Sequence, residues 1–160
     1  MATVQRITPS FWFDWQAEAA AKFYTSIFPN SSIGRTSRYG KEGFEVHQMP
    51  EGTVLTIDFT LDGQKFSALN GGPLFNFNES ISFIVSCKDQ EELDYYWDKL
   101  KEGGDEKSQQ CGWLKDKFGV SWQIVPSILA QLMDDPARSG RVMTALLKMK
   151  KLDIKALQEA

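Results

Sequence analysis

The sequence predicts an α+β chain of two tandem β-α-β-β-β motifs followed by C-terminal helices, and three observations carry that prediction. Phe11-Trp12-Phe13-Asp14 followed by 16–28 has a counterpart in Phe83-Ile84-Val85-Ser86 followed by 89–100. A shift of about 73 positions lays Glu18 on Glu91, Phe23-Tyr24 on Tyr96-Trp97 and Ile27 on Leu100. Later in each half a glycine introduces a strand, Gly63-Gln-Lys-Phe-Ser-Ala-Leu and Gly119-Val-Ser-Trp-Gln-Ile-Val. After Pro126 the pattern becomes helical to the end. The expected layout is a single domain over 1–160, with motifs at 6–72 and 79–126 and a helical tail at 127–160. Two such motifs can build a cup.

The elements follow in order. From Ile7 to Phe13 apolar and polar positions alternate, which predicts a strand with one buried face. Asp14 is placed to cap a helix whose Ala17, Ala20, Ala21, Tyr24, Ile27 and Phe28 form an apolar stripe, and Pro29-Asn30 stops it. A strand is expected over Ile33 to Arg38, then a loop at Gly40 to Gly43 leading through Phe44 to His47. Thr53 to Leu61 alternates, with Leu55, Ile57, Phe59 and Leu61 on one face and Val54, Thr56, Asp58 and Thr60 on the other. Asp62-Gly63 signals a hairpin that returns as Gln64 to Asn70. In the second half a strand runs from Ile81 to Ser86, and Asp89 with Glu92 forms a capping box for a helix to about Lys101. Short strands are expected over Ser108 to Cys111 and Trp113 to Lys115, then the hairpin at Lys117-Phe-Gly119 and a strand over Val120 to Val125. In the tail, Asp135-Pro136 predicts one helix start and Asp153 another.

Composition narrows the function classes. The chain has 160 residues, 42% hydrophobic and 24% charged, ordinary for a globular domain with a real core. Its net charge of −3 comes without a basic block, so nucleic-acid binding is not expected. Cys87 and Cys111 lack a framework spacing and are expected as reduced thiols in the cytoplasm. No apolar run reaches membrane-spanning length, and no membrane partner is expected.

Particular phrases then carry a resemblance: Phe23-Tyr24 with Phe28-Pro29-Asn30-Ser31, Ala68-Leu69-Asn70-Gly71-Gly72-Pro73, Cys111-Gly112-Trp113-Leu114-Lys115-Asp116, Ser121-Trp122-Gln123-Ile124-Val125-Pro126, and the tail from Met143 to Leu157. The chain resembles the PhnB-like branch of the vicinal oxygen chelate superfamily, a branch labelled 3-demethylubiquinone-9 3-methyltransferase. The wider superfamily includes glyoxalase I, extradiol dioxygenases and bleomycin-resistance proteins. The resemblance implies a curved mixed sheet of the glyoxalase/bleomycin resistance/dihydroxybiphenyl dioxygenase type and a homodimer, in which the tail covers a cup or clasps the partner subunit. It leaves the chemistry open, because one fold hosts unrelated activities.

In metal-using relatives the resemblance places His or Glu ligands on the first and last strands of each motif, four residues past the hairpin glycine for the glutamate. The matching positions here are Ser67 and Gln123, and the first strands offer Thr8, Ser10 and Trp12 or Ser82, Ile84 and Ser86. A transition-metal site needs three or four converging N, O or S ligands, so no metal and no other cofactor is expected. The alternation instead lines the cup with Ser10, Trp12, Thr56, Asp58, Ser67, Ser82 and Gln123, with Asn70 and Phe75 at the joining segment. These are the expected ligand-binding residues. Asp58 is the only acid among them and His47 the only histidine of the chain; these two are the candidate proton-transfer groups. Cys111 and Trp122 read as packing residues, and Gly71-Gly72 as a structural turn.

Three readings follow. The first is a protein that binds a small aromatic or quinone-like molecule in the cup. The second is a metal-independent enzyme on such a molecule, with Asp58 or His47 moving a proton. The third is methyl transfer, disfavoured because a methyl donor usually sits against a glycine-rich turn at the end of a parallel sheet, and no such unit is visible.

Overall fold

The computed structural model describes residues 5–160. The chain forms two compact units, the first ending at Asn76 and the second spanning Phe77–Ala160. The first unit contains β1 (Ser10–Phe13), α1 (Ala17–Ile27), β2 (Ser32–Arg38), a one-turn helix α2 (Phe44–His47), β3 (Val54–Leu61) and β4 (Gln64–Asn70). Its sheet has the order β1-β4-β3-β2, with β1 parallel to β4 and the remaining pairs antiparallel. The hairpin between β3 and β4 is tight because Asp62 and Gly63 both take positive φ, 45° and 79°, the geometry whose twist matches the flanking strands.

Helix α1 covers one face of this sheet. Ala17, Ala20 and Ala21 are fully buried, and their small side chains let Tyr24 and Ile27 reach the aromatic layer of Phe11, Phe59 and Phe66. Phe59 and Phe66 stack with centroids 5.5 Å apart, and Phe11 meets Tyr24 edge-on at 6.2 Å. Phe28 leaves the helix in an extended conformation, as the residue before a proline must.

The expected cap at Asp14 is not formed. Trp15 turns the chain with φ of 68°, which moves the helix start to Ala17 and leaves Asp14 too early to reach it. Asn70 takes its place: its Oδ1 accepts the Ala17 N–H at 2.9 Å, and its Nδ2 donates to the Val54 carbonyl at 3.0 Å.

The second unit contains β5 (Ser82–Cys87), α3 (Gln90–Leu100), a 3-10 turn (Glu106–Ser108), β6 (Trp113–Lys115), β7 (Ser121–Pro126), α4 (Leu129–Asp134), α5 (Ser139–Leu146) and α6 (Ile154–Glu159). Its sheet order is β5-β7-β6, with β5 and β7 parallel. Asp89 caps α3 by accepting from the Glu92 N–H at 2.9 Å. The returning bond from Glu92 goes one residue further out, to the Lys88 N–H at 2.7 Å.

The strand expected over Ser108 to Cys111 is absent. Asp105 nucleates the 3-10 turn by accepting from Lys107 N–H. Cys111 and Gly112 then take positive φ, 51° and 83°, leaving only one bridge, Gln110 to Trp113. The amides of Cys111 and Gly112 donate instead to the Met149 and Lys150 carbonyls, each at 2.8 Å.

That contact ties the tail into the second unit. Val142, Leu152 and Leu157 are fully buried, and Gln90 holds the same segment by donating to the Leu152 carbonyl and accepting from the Ile154 amide. Asp135 closes a turn by accepting from the Ala137 amide, so α5 begins only at Ser139 rather than directly after Pro136. Asp153 does cap α6, accepting from Ala156 N–H at 3.0 Å.

Candidate functional site

The face of the first sheet opposite α1 is polar, and strand register aligns its side chains. Ser10 pairs with Ser67, and Ser67 with Asp58, so the three form one row across β1, β4 and β3. The adjacent row holds Trp12, Leu69, Thr56 and Ser37, about 7 Å along the strands. In that row the Ser37 and Thr56 hydroxyls share a hydrogen bond of 2.5 Å.

Asp58 stands out on this face. Its neighbours on β3, Ile57 and Phe59, are buried, while Asp58 is exposed. Its carboxylate has no hydrogen-bond or ion-pair partner among the described residues. It opens on a cleft of about 290 Å³ that Thr8, Gly34, Thr60 and Lys65 also line. Lys65 was not singled out from the sequence, although the alternation of β4 puts it on the face of Ser67 and Leu69.

The aromatic candidates lie toward the far end of β4. The Trp12 indole N–H donates to the Gly72 carbonyl at 2.8 Å. The ring lies so close over Gly71 that a Cβ there would sit 2.2 Å from it; the glycine pair therefore seats a tryptophan. Phe75, 58% exposed, meets Trp12 edge-on at 4.9 Å.

Two expected residues have other duties. Asn70 is 2% exposed and belongs to the helix-facing side of β4, with both ends of its amide engaged as described. Its placement as a ligand contact is corrected for that reason: α1 lacks a local cap, and Asn70 supplies it. His47 is committed within its own loop. Its Nδ1 accepts the Met49 N–H at 2.9 Å, which fixes the proton on Nε2, and Nε2 donates to the Glu42 carbonyl at 3.0 Å. The ring also packs on Tyr39 with centroids 4.5 Å apart, and the Tyr39 hydroxyl donates to the Asn70 carbonyl at 2.6 Å. A proton-transfer role for His47 would require these bonds to break.

Ser82 and Gln123 stand in the second unit, on the face of its sheet opposite Trp122 and Ile124. Gln123 Nε2 donates to Ser82 Oγ at 2.8 Å. Lys115 pairs with Glu79 at 2.5 Å, and this ammonium holds the Glu79 carboxyl below the usual carboxylate range. Ser121 Oγ is buried without a hydrogen-bond partner among the described residues. Trp122 is core, as its alternation implied, and is 2% exposed. Asp116, which ends the Cys111–Asp116 phrase, organises the turn beneath it: Oδ1 accepts from the Phe118 and Val120 amides and Oδ2 from the Trp122 indole.

Neither thiol is bonded to the other. Burial, with the charges of Glu92 and Asp89 behind it, pushes the Cys87 thiol up to about 12, which leaves it inert at neutral pH. No group of three or more His, Cys, Asp or Glu among the described residues is placed to hold a metal ion. No described helix is long and apolar enough to cross a membrane.

Two α+β units, each a mixed sheet with a helix on one face and polar side chains on the other, define a protein of the vicinal oxygen chelate class. The profile of the 3-demethylubiquinone-9 3-methyltransferase family matches residues 5–125, and the chain belongs to that family, the PhnB-like branch of the class. Among solved structures it is similar to a PhnB protein from Bacillus cereus, 37% identical over 76% of this chain and 99% of that one, with a TM-score of 0.64. A Staphylococcus aureus protein is 32% identical over 78% of this chain and 97% of its own, with a TM-score of 0.35. The protein PA1353 from Pseudomonas aeruginosa shares the fold at 17% identity and a TM-score of 0.58, over 76% of this chain and 96% of that one. No curated protein matches the chain.

Proposed function

We propose that the protein binds a small molecule on the polar face of its first sheet, with the ligand's polar head at Asp58, Ser67 and Ser10 and an aromatic or quinone-like ring toward Trp12 and Phe75. The observation that carries this reading is Asp58. An unpaired carboxylate in a cleft, in register with two serine hydroxyls, contributes nothing visible to the fold and is available to an external donor. Polar groups placed beside aromatic surface are the usual composition of a small-molecule site.

The same residue supports a second reading, an enzyme in which Asp58 accepts a proton from the bound molecule. His47 is a weaker candidate because both ring nitrogens are in use. Methyl transfer, the activity in the family's description, draws little support from the site. The one glycine pair that follows a parallel strand is filled by the Trp12 indole, so its backbone is closed to a donor.

A thermal-shift series tests the proposal, since a ligand selective for the folded state raises the melting temperature. Catechol and 1,4-naphthoquinone are expected to stabilise the wild-type protein, with the shift lost in Asp58→Asn and reduced in Phe75→Ala. Stabilisation by divalent metal alone, or an aromatic shift that survives Asp58→Asn, would overturn it.

A further inference from the structure

On the reading that the first sheet's polar face holds the ligand, we propose that the head group it takes is a small zwitterion of the α-amino acid type, with its ammonium on Asp58 and its carboxylate on Lys65. Both charges line the same cleft, and neither forms an ion pair among the described residues. Other pairs of opposite charge do close, among them Lys22 with Glu18, Lys101 with Asp98 and Lys151 with Asp94, each at 2.8 Å.

Register places the two charges near each other. Thr60 pairs with Lys65 and Asp58 with Ser67, so Asp58 and Lys65 are diagonal neighbours on adjacent strands, about 7 to 8 Å apart between backbones. From such diagonal positions an ammonium and a carboxylate borne on one carbon can engage Asp58 and Lys65 together, each through a charge-assisted contact of about 2.8 Å. A lone amine or a lone acid would satisfy one charge and leave the other idle.

Size and shape agree. A volume of about 290 Å³ lies at the lower edge of ligand pockets, roughly 300 to 1,000 Å³, and suits a head group of amino-acid size. Gly34 brings β2 close beside Asp58, where a Cβ would stand 3.3 Å from the Asp58 carbonyl oxygen. Thr8 and Thr60 offer hydroxyls at the same cleft.

The test is calorimetric titration of the full-length protein with three probes that share a phenyl ring: phenylalanine, phenethylamine and 3-phenylpropionate. Phenylalanine is expected to bind at least tenfold more tightly than either half-molecule. Asp58→Asn and Lys65→Gln should each weaken phenylalanine at least tenfold, the first sparing 3-phenylpropionate and the second sparing phenethylamine. Both residues are exposed, so melting temperatures of the variants should match the wild type. Equal affinity for the amine or the acid, phenylalanine binding indifferent to both variants, or no phenylalanine binding would overturn the proposal. If catechol or 1,4-naphthoquinone binds through Asp58 while phenylalanine does not, the zwitterion assignment alone falls. If no probe depends on Asp58, the sheet-face reading falls with it.

Discussion

Helix α1 donates its first N–H, that of Ala17, to Asn70, 53 positions downstream, whereas α3 donates the Glu92 N–H to Asp89, the residue just before the helix. The two helices occupy the same place in a repeated plan, yet one start is a long-range contact and the other a local one. The sheets differ in the same spirit. The second pairs its polar side chains with one another, Gln123 with Ser82 and Lys115 with Glu79, while the first leaves Asp58 and Lys65 unpaired at a cleft. The two halves thus share an architecture and differ in how their polar side chains are committed.

The two halves should differ most in what each needs in order to fold. Removing everything after Asp134 takes away Val142, Leu152 and Leu157, all fully buried. At about 1.5 to 3 kcal/mol each the loss is roughly 5 to 9 kcal/mol, comparable with the whole stability of a domain, about 5 to 15 kcal/mol. The truncated chain should lose the native amide signals of the second unit while those of the first persist. A truncated second unit with intact dispersion would show that the tail is an accessory after all.

Next comes the contrast between the caps. Asn70→Ala strands the Ala17 amide and the Val54 carbonyl together and should cost about 2 to 3 kcal/mol. Asp89→Ala should cost about 1 kcal/mol. Urea denaturation of both variants checks the order, and equal costs would mean that water replaces Asn70 as readily as Asp89.

A smaller effect is expected at the ion pair that holds the tail. Its hydrogen bond from Lys151, then that from Gln90, keeps the Asp94 carboxyl below the usual carboxylate range. A carboxyl lowered on folding contributes stability above its unfolded value and loses it as pH falls through the folded one. Because the pair is exposed, the amount is a few tenths of a kcal/mol. The wild type should melt slightly higher than Asp94→Asn at pH 7, and the two should draw together as pH falls below the ordinary aspartate range.

Most of the fold was legible in the sequence because its signals were local. Alternation along Val54–Leu61, the Asp62-Gly63 turn, the alanine stripe of α1 and the caps at Asp89 and Asp153 each depend on neighbours a few positions apart. The errors fell where distant residues decide. The missing strand at 108–111 reflects amides drawn to Met149 and Lys150, and the idle Asp14 reflects the strained turn at Trp15 and the arrival of Asn70. The site divides in the same way. Parity placed Ser10, Thr56, Asp58 and Ser67 on one face, but could not reveal that Trp12 spends its indole on Gly72 or that His47 is bound within its loop. Lys65 was available to the same parity argument, and its charge drew no notice until register placed it diagonal to Asp58.

If Asp58 is held free for a ligand, titration of wild type and Asp58→Asn with 1,4-naphthoquinone, followed by amide chemical-shift mapping, will show it. The substitution should leave stability within about 0.5 kcal/mol, as surface changes away from any partner do, while weakening binding at least tenfold, with wild-type shifts centred on Asp58, Ser67 and Ser10. Undiminished affinity in Asp58→Asn, with shifts gathered instead on Ser82 and Gln123, would remove Asp58 from the site and move the binding face to the second sheet.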